Sequence, residues 1–490
     1  MEFDLAKINR IKKFFLRLVE VMQSNGNYTD VLLINDSSLT ISKDKTDINI
    51  DNSQDFGVTM RVFDGEKFHA HASTGLNEQL LLEKAKEFSK IQLLPQTSNK
   101  NKIKLDIDTK QLNKHFVSNG SINPSQVGTQ EKAEFVKHIH HQILSNQLST
   151  PTIINLRVIY EETKEQKIFV NRFKQLSQNI TSCFIGVVPF VLTKEKDIRY
   201  HYKSFFSPGY EATNISEKDV KEIIEKTLKI SEAKKLSPGK YTCILSPDLS
   251  GLLAHESFGH GMESDTMFKD RAKAIEFIGK KIAPDNVSII DNPSFPARNG
   301  TFFFDDEGAL AEPTYLIKKG IVAQPITDMY SASRLTMEEQ GGHNLKKVLK
   351  KGGCFKRTAN ARAESYDHKC YARMSNTYFD EGDTSPETMI KMVKDGLYLH
   401  YSSGGMEDPK GWHVQIQGIV AEKIRNGKLT GEFFYEIGMT GYLPTMLGNI
   451  LAVGNKLIIP GTGRCGKGHK EWVRVSEGGP HLLIKEVDLA

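Results

Sequence analysis

Two histidines and a glutamate form the stretch of this sequence best suited to chemistry. Glu256 directly follows His255, and His260 lies five residues after His255. Neutral imidazole is the commonest metal ligand, and a carboxylate beside it can accept a proton from metal-bound water. In an undistorted α-helix, five residues place the second ring roughly 140° away from the first. We therefore predict a distorted helix end, such as a π-bulge, beside Gly259 and Gly261.

A third metal ligand must come from elsewhere in the chain, because a catalytic zinc site uses three protein ligands and an open position. One candidate is Cys465, which lies in a glycine-rich stretch where Arg464 and Lys467 favour the thiolate. Cys354 also lies beside glycines, and His469 is a further metal-capable group close to Cys465. The residue types alone leave these alternatives open.

The pairing of His255-Glu256-x-x-x-His260 with a distant Cys465-Gly466-Lys467 resembles the TldD/PmbA peptidase family. The likeness is to the TldD-type members, which keep the metal motif. Further segments match in the same order along the chain. They are the hairpin from Val58 to Phe68, Phe304–Gly308, Arg373–Thr377 and Gly478–His481. The resemblance covers nearly the whole chain and is most specific in the C-terminal half.

This resemblance implies a metallopeptidase in which His255, His260 and Cys465 hold Zn²⁺ and Glu256 acts as the general base. It also implies cleavage of small or unfolded peptides in a cavity enclosed by a dimer. The partner is either a second copy of this chain or a related subunit without the metal motif. An extended peptide is expected to pair with a sheet edge. The alternative is a peptide-binding or maturation subunit with a structural metal, and a redox-sensing thiol protein ranks last.

Other polar residues of the C-terminal half each have two interpretations. Glu263 and Asp265 either orient a ligand histidine or form a polar helix exit. The acidic residues 305–307 either bind a cation or form a turn. Arg373 and Asn376 either contact the peptide or make buried structural hydrogen bonds.

The composition is that of a soluble globular protein, with 39% hydrophobic and 26% charged residues among 490. The net charge of +5 is mild, and no nucleic-acid recognition module is evident, so we expect no nucleic-acid partner. No apolar run approaches the ~18 residues of a membrane span, and we expect no signal peptide. The five cysteines are scattered and form no C-x-x-C pattern, which fits a reducing cytoplasm.

The pattern of apolar residues predicts an α+β fold. We expect one α+β module at 1–110, a second at 111–238 and a metallopeptidase domain at 239–490. The last should carry the metal helix on a mostly antiparallel, partly closed β-sheet. Helical periodicity is strong at 2–23, whose apolar face either packs on a core or binds a membrane surface. The stretch 335–357, rich in Gly and Lys, either gates the cleft or is a solvated loop.

Overall fold

The computed structural model describes residues 3–23, 27–93, 103–118, 120–146, 153–335, 355–468 and 471–490. Helices and mostly antiparallel strands occur along these ranges, so the predicted α+β class is confirmed. No helix within them is both long enough and apolar enough to cross a membrane. The predicted loop at 335–357 lies almost entirely outside the described residues.

The α-helices of the described ranges alternate with strands along the chain. They are α1 (Leu5–Met22), α2 (Glu78–Phe88), α3 (Thr129–Ser145), α4 (Glu217–Glu232), α5 (Pro247–Leu253), α6 (Ser264–Met267), α7 (Met329–Leu335), α8 (Pro386–Met392) and α9 (Leu443–Gly448). The first helix begins where the Asp4 carboxylate accepts a hydrogen bond from the Lys7 N–H at 2.7 Å. Its apolar face, including Phe15 and Leu18, is buried in a core with strand residues such as Val31. Of the two interpretations of this helix, packing on a core and binding to a membrane surface, the structure shows packing on a core.

One eight-stranded sheet organises the N-terminal half. Its strands are β1 (Tyr28–Lys43), β2 (Ile48–Phe63), β3 (Phe68–Thr74), β4 (Leu112–Val117), β5 (Ile153–Asn171), β6 (Lys174–Leu192), β7 (Ile198–Tyr200) and β8 (Lys203–Ser207). The central order is β3-β2-β1-β5-β6-β4. The long pairing of β1 with β5 runs from Asp30 opposite Asn171 to Lys43 opposite Val158. Strands from both sides of residue 110 thus share one sheet, and the division into three domains stays a prediction.

The C-terminal half contains two larger sheets. Their strands are β9 (Lys234–Lys235), β10 (Gly239–Leu245), β11 (Ile289–Asp291), β12 (Thr314–Lys318), β13 (Ile321–Val322), β16 (Asn376–Phe379), β17 (Asp395–Asp408), β18 (His413–Arg425), β19 (Lys428–Tyr442), β20 (Ile450–Val453), β21 (Ile458–Lys467), β22 (Glu471–Gly479) and β23 (Leu482–Leu489). A separate short hairpin joins β14 (Ala361–Arg362) to β15 (Tyr371–Ala372).

The first of these sheets closes on itself. Its order is β20-β23-β10-β17-β18-β19-β9, and β23 also pairs with β19, where Leu489 lies opposite Met439. The strands β23, β10, β17, β18 and β19 therefore form a ring, as the predicted partly closed sheet requires. The second sheet has the order β13-β12-β11-β16-β22-β21. Helix α5 contacts strands of both sheets, so it is held between them.

Candidate metal centre

The chain leaves α5 in a widened turn that contains His255 and ends directly before His260. Residues Ala254–Gly259 form a π-helical turn, and His260–Met262 continue as a 3₁₀ turn. The predicted helix distortion is confirmed. A π turn bonds residues five apart, so it brings His255 and His260 to one side of the chain. Their ring centroids lie 5.3 Å apart, with ring planes at 89°.

A close backbone approach holds this turn against the second sheet. Gly251 of α5 lies directly on β22, and a Cβ atom at this position would collide with the backbone of Gly478. Only glycine therefore permits the helix to approach the strand this closely. Because β22 pairs with β21, the approach also sets the distance between the histidines and the strand that carries Cys465.

Cys465 is fixed from its backbone side by a buried arginine. Arg373 is fully buried and donates to the Cys465 carbonyl oxygen at 2.6 Å and to the Glu471 carbonyl oxygen at 3.2 Å. The guanidinium therefore joins β21, which carries the thiol, to the neighbouring strand β22. Of the two interpretations of Arg373, the structure shows the buried structural one.

The three candidate metal ligands converge in space. The Cys465 Sγ atom lies 3.4 Å from His260 Nε2, and the ligand atoms of His255, His260 and Cys465 all lie within 4.8 Å of one another. In a tetrahedral zinc site with ordinary Zn–S and Zn–N bond lengths, a cysteine sulfur and a histidine nitrogen lie about 3.6 Å apart, close to the distance between Cys465 Sγ and His260 Nε2. The arrangement therefore fits a zinc ion. Cys354 and His469, the other candidate ligands, lie outside the described residues.

Carboxylates face the far side of each imidazole. Glu477 Oε2 lies 3.8 Å from His255 Nδ1, and Glu263 Oε2 lies 3.5 Å from His260 Nδ1. Such carboxylates orient ligand histidines and increase their basicity. Lys467 Nζ pairs with Glu263 at 2.9 Å and with Asp265 at 2.5 Å, so this lysine joins Asp265 to the carboxylate that faces His260.

The charges of these groups shift their pKa values strongly. Burial raises the pKa of the Cys465 thiol, but the imidazolium charges of His260 and His255 outweigh burial and hold that pKa well below its usual value. Burial also raises the pKa of Glu477, to about 7. Burial acts in the same direction on Glu263, but Lys467 and His260 lower its pKa to about 2. A thiolate is the form of cysteine that binds metals.

Glu256 directly follows the candidate ligand His255 and remains partly exposed, unlike His255 and Cys465. Within the described ranges, no hydrogen bond or ion pair holds its carboxylate. Its Cγ packs against Gly405 of β17, where an added Cβ atom would lie only 2.7 Å away. The carboxylate is therefore positioned by packing and is available to a substrate or a water molecule.

A second carboxyl group, Glu407 of β17, faces the same side as Gly405. Glu407 lies beside Gly261, where an added Cβ atom would be 2.8 Å from Glu407 Oε1 and 3.1 Å from Trp412 Nε1. Neither carboxyl oxygen of Glu407 has a hydrogen-bond partner among the described residues, and burial raises the pKa of this group well above its usual value. Burial therefore favours the neutral acid.

The remaining polar candidates have structural roles in the described part of the chain. The Asp305 carboxylate accepts hydrogen bonds from the N–H groups of Glu307, Ala309 and Ala361, which is a turn rather than a cation site. Asn376 donates to the Asn292 carbonyl oxygen at 2.8 Å. Sequence reasoning missed Glu477, whose one signal is its place directly before the matching Gly478–His481 segment.

Known proteins resemble this chain along most of its length. The PmbA/TldA metallopeptidase C-terminal domain matches residues 238–490, which is more than half of the chain. A metalloprotease of Methanocaldococcus jannaschii is 26% identical over 472 residues, 95% of this chain and 97% of that protein. A zinc metalloprotease TldD homolog of Saccharolobus solfataricus is 25% identical over 335 residues, 67% of this chain and 69% of that protein. The crystal structure of TldE from Thermococcus kodakarensis shares the fold, with a TM-score of 0.68, 12% identity and coverage of 97% of this chain and 99% of its own.

Proposed function

This chain belongs to the PmbA/TldD metallopeptidase family, and from that premise we propose that it is a zinc-dependent peptidase of small or unfolded peptides. In this proposal His255, His260 and Cys465 hold the zinc ion, and Glu256 is the general base. The observation that carries the proposal is the convergence of the three ligand atoms within 4.8 Å beside a partly exposed carboxylate. The metalloprotease names of the relatives support the same class of reaction.

A metal ion held by His255, His260 and Cys465 would supply Lewis acidity for the activation of water and the polarisation of the scissile carbonyl. The remaining steps belong to the chain. Glu256 accepts a proton from the attacking water and later donates it to the leaving amine. Glu263 hydrogen-bonds to His260 Nδ1 at 3.5 Å, and Glu477 acts on His255 Nδ1 through its charge from 3.8 Å. Zinc is the proposed metal because it suits imidazole and thiolate ligands together, although iron or cobalt can occupy such a set. The thiolate also reduces the net charge of the site, so we expect a modest catalyst.

An extended peptide is the substrate shape that the neighbouring strand favours. On one edge, β10 pairs with β17 only from Leu397 to Leu399. On the other edge, β18 pairs with β17 as far as Asp408. Within the described residues, 403–408 of β17 therefore keep one edge free of strand pairing, and Gly405 in this segment lies against Glu256. A peptide paired along this edge would pass the general base, with affinity from backbone hydrogen bonds rather than from its sequence.

The proposed assembly is a dimer that encloses the site. The shared fold with TldE supports a partnership with a related subunit, and a homodimer is the other possibility. Because this chain keeps the His255-Glu256-x-x-x-His260 motif, it would be the subunit that carries out hydrolysis. We place the protein in the cytoplasm because its scattered cysteines suit a reducing compartment.

Removal and return of the metal test this proposal. The purified protein should degrade a reduced, chemically unfolded protein, lose that activity after dialysis against a chelator, and regain it when about one zinc ion per chain is returned. Digestion of the same protein in its folded form is the control and should be slow. Full metal occupancy without hydrolysis, with and without the related subunit, would instead support a peptide-binding or maturation subunit with a structural metal.

A further inference from the structure

The metal ligand Cys465 follows a residue that reaches into the N-terminal half of the molecule. Neighbouring residues of a strand point to opposite faces. Cys465 is 4% exposed and points to the histidines, whereas Arg464 points to the N-terminal sheet. There its guanidinium pairs with the Glu161 carboxylate of β5 at 2.8 Å. The same strand thus touches the metal site with one face and the N-terminal sheet with the other.

The partner strand makes a second and more buried contact with β5. Arg474 of β22 lies directly opposite Arg464 in the β21–β22 pairing. Its guanidinium donates to the Thr163 hydroxyl at 2.5 Å and to the Glu165 carboxylate at 3.2 Å. The side chains of Arg474 and Glu165 are only 17% and 16% exposed, so this pair is shielded from solvent. Charge-assisted hydrogen bonds are strongest in such places.

The β5 residues that hold the hairpin recur with a period of two. Glu161, Thr163 and Glu165 point to one face of the sheet, and we call them the acidic row. Two arginines directly opposite each other on a hairpin repel and weaken the pairing. The two carboxylates of the acidic row neutralise that repulsion, because Glu161 pairs with Arg464 and Glu165 with Arg474.

We propose that the acidic row of β5 is a positioning site for the metal ligand Cys465. The row fixes the β21–β22 hairpin from the N-terminal side, while Arg373 fixes the backbone of Cys465 from the C-terminal side. Between these contacts the thiol is held facing His255 and His260. The metal centre is therefore completed by the N-terminal sheet, although no residue of that sheet is a ligand. This inference rests on the proposed metal site.

Substitution of the acidic row should weaken metal binding without removing a ligand. Cobalt is the probe, because Co²⁺ suits the same ligands and its thiolate charge-transfer absorption reports the Cys465 bond. We expect Glu165→Gln to bind Co²⁺ about tenfold more weakly than the wild type, with reduced intensity of the thiolate band. Glu161→Gln removes a more exposed charge and should weaken binding by about threefold. Asp51→Asn, an exposed carboxylate on β2 of the same sheet, is the matched control and should bind like the wild type.

The outcomes separate this inference from the proposed metal site. A wild-type protein without a thiolate band would overturn the ligand assignment and the inference with it. A wild-type band together with unchanged cobalt affinity in both acidic-row variants would overturn the positioning role alone. Thermal unfolding of each variant, followed by circular dichroism, verifies folding. If Glu165→Gln does not fold, the cobalt affinity of Glu161→Gln alone tests the positioning role. Glu161 lies at the more exposed rim of the contact, so its substitution should leave the protein folded.

Discussion

The Sγ atom of Cys465 lies 3.4 Å from Nε2 of His260, although the two residues belong to different elements. The cysteine is carried by an edge strand, β21, and the histidine follows a π-helical turn. Their proximity depends on the glycine contact between α5 and β22 and on the guanidinium of Arg373. The candidate metal centre is therefore a product of long-range packing.

Cys465→Ser should weaken zinc binding by at least about tenfold, because a hydroxyl is a poorer zinc ligand than a thiolate. The zinc content after gel filtration and a competition titration with a chromophoric chelator measure this loss. Cys370→Ser, at a free thiol outside the cluster of His255, His260 and Cys465, is the control and should keep its zinc. Equal zinc affinity of the Cys465 variant and the wild type would remove this residue from the ligand set.

Glu477→Gln should lower zinc affinity by about 10- to 100-fold, because His255 loses the carboxylate that faces its Nδ1 atom. The same titration measures the effect. Glu276→Gln changes an exposed carboxylate of the C-terminal half and should have no effect on affinity. If both variants behave like the wild type, Glu477 does not orient the imidazole.

Gly405→Ala should retain zinc but lower kcat by about 10²-fold, since the new methyl group would lie 2.7 Å from Glu256 Cγ and displace this side chain. Hydrolysis of an unfolded protein and zinc content are measured on the same sample. Gly128→Ala is the matched control, because a Cβ atom there has no neighbour within 4 Å. Full activity of the Gly405 variant would show that the packing of Glu256 is unimportant.

The acidic row predicts a loss of stability at acid pH. Burial raises the pKa of Glu165, but Lys167 and Arg474 outweigh it and lower that pKa from 4.5 to about 2. The folded state therefore favours the ionised carboxylate. The ionised Glu165 carboxylate contributes on the order of 3 kcal/mol to the free energy of unfolding above pH 4.5, and this contribution is lost as the pH falls toward about 2.

Urea unfolding of Glu165→Gln against the wild type tests this pH dependence. The free energy of unfolding should fall less steeply in the variant over the same acid range, because the variant has no carboxyl group to protonate there. Asp51→Asn again serves as the control. Parallel pH profiles for Glu165→Gln and the wild type would contradict the depressed pKa.

Local patterns in the sequence predicted much of this structure. Helical periodicity at 2–23 corresponds to α1, and the five-residue spacing of His255 and His260 predicted the widened turn that Ala254–Gly259 forms. These features depend on neighbouring residues, whose spacing is visible in the sequence. A mostly antiparallel, partly closed sheet was also predicted, because turn signals recur between strand-like runs in the C-terminal half.

Features that depend on distant register were not predicted. The sequence does not show that β1 pairs with β5, because strand patterns reveal buried faces and not partners. Glu477 was missed for the same reason, since it meets His255 only when α5 packs on β22. The proposed roles of Glu256 and the three ligands stay predictions until they are measured.

The most direct test of the central claim compares the wild type with Glu256→Gln for zinc content and for hydrolysis of an unfolded protein. The account predicts about one zinc ion per chain in both proteins and a kcat lower by about 10²- to 10⁴-fold in the variant. Glu276→Gln, the exposed control, should match the wild type. A Glu256→Gln protein that keeps its zinc and its full activity would contradict the general-base assignment.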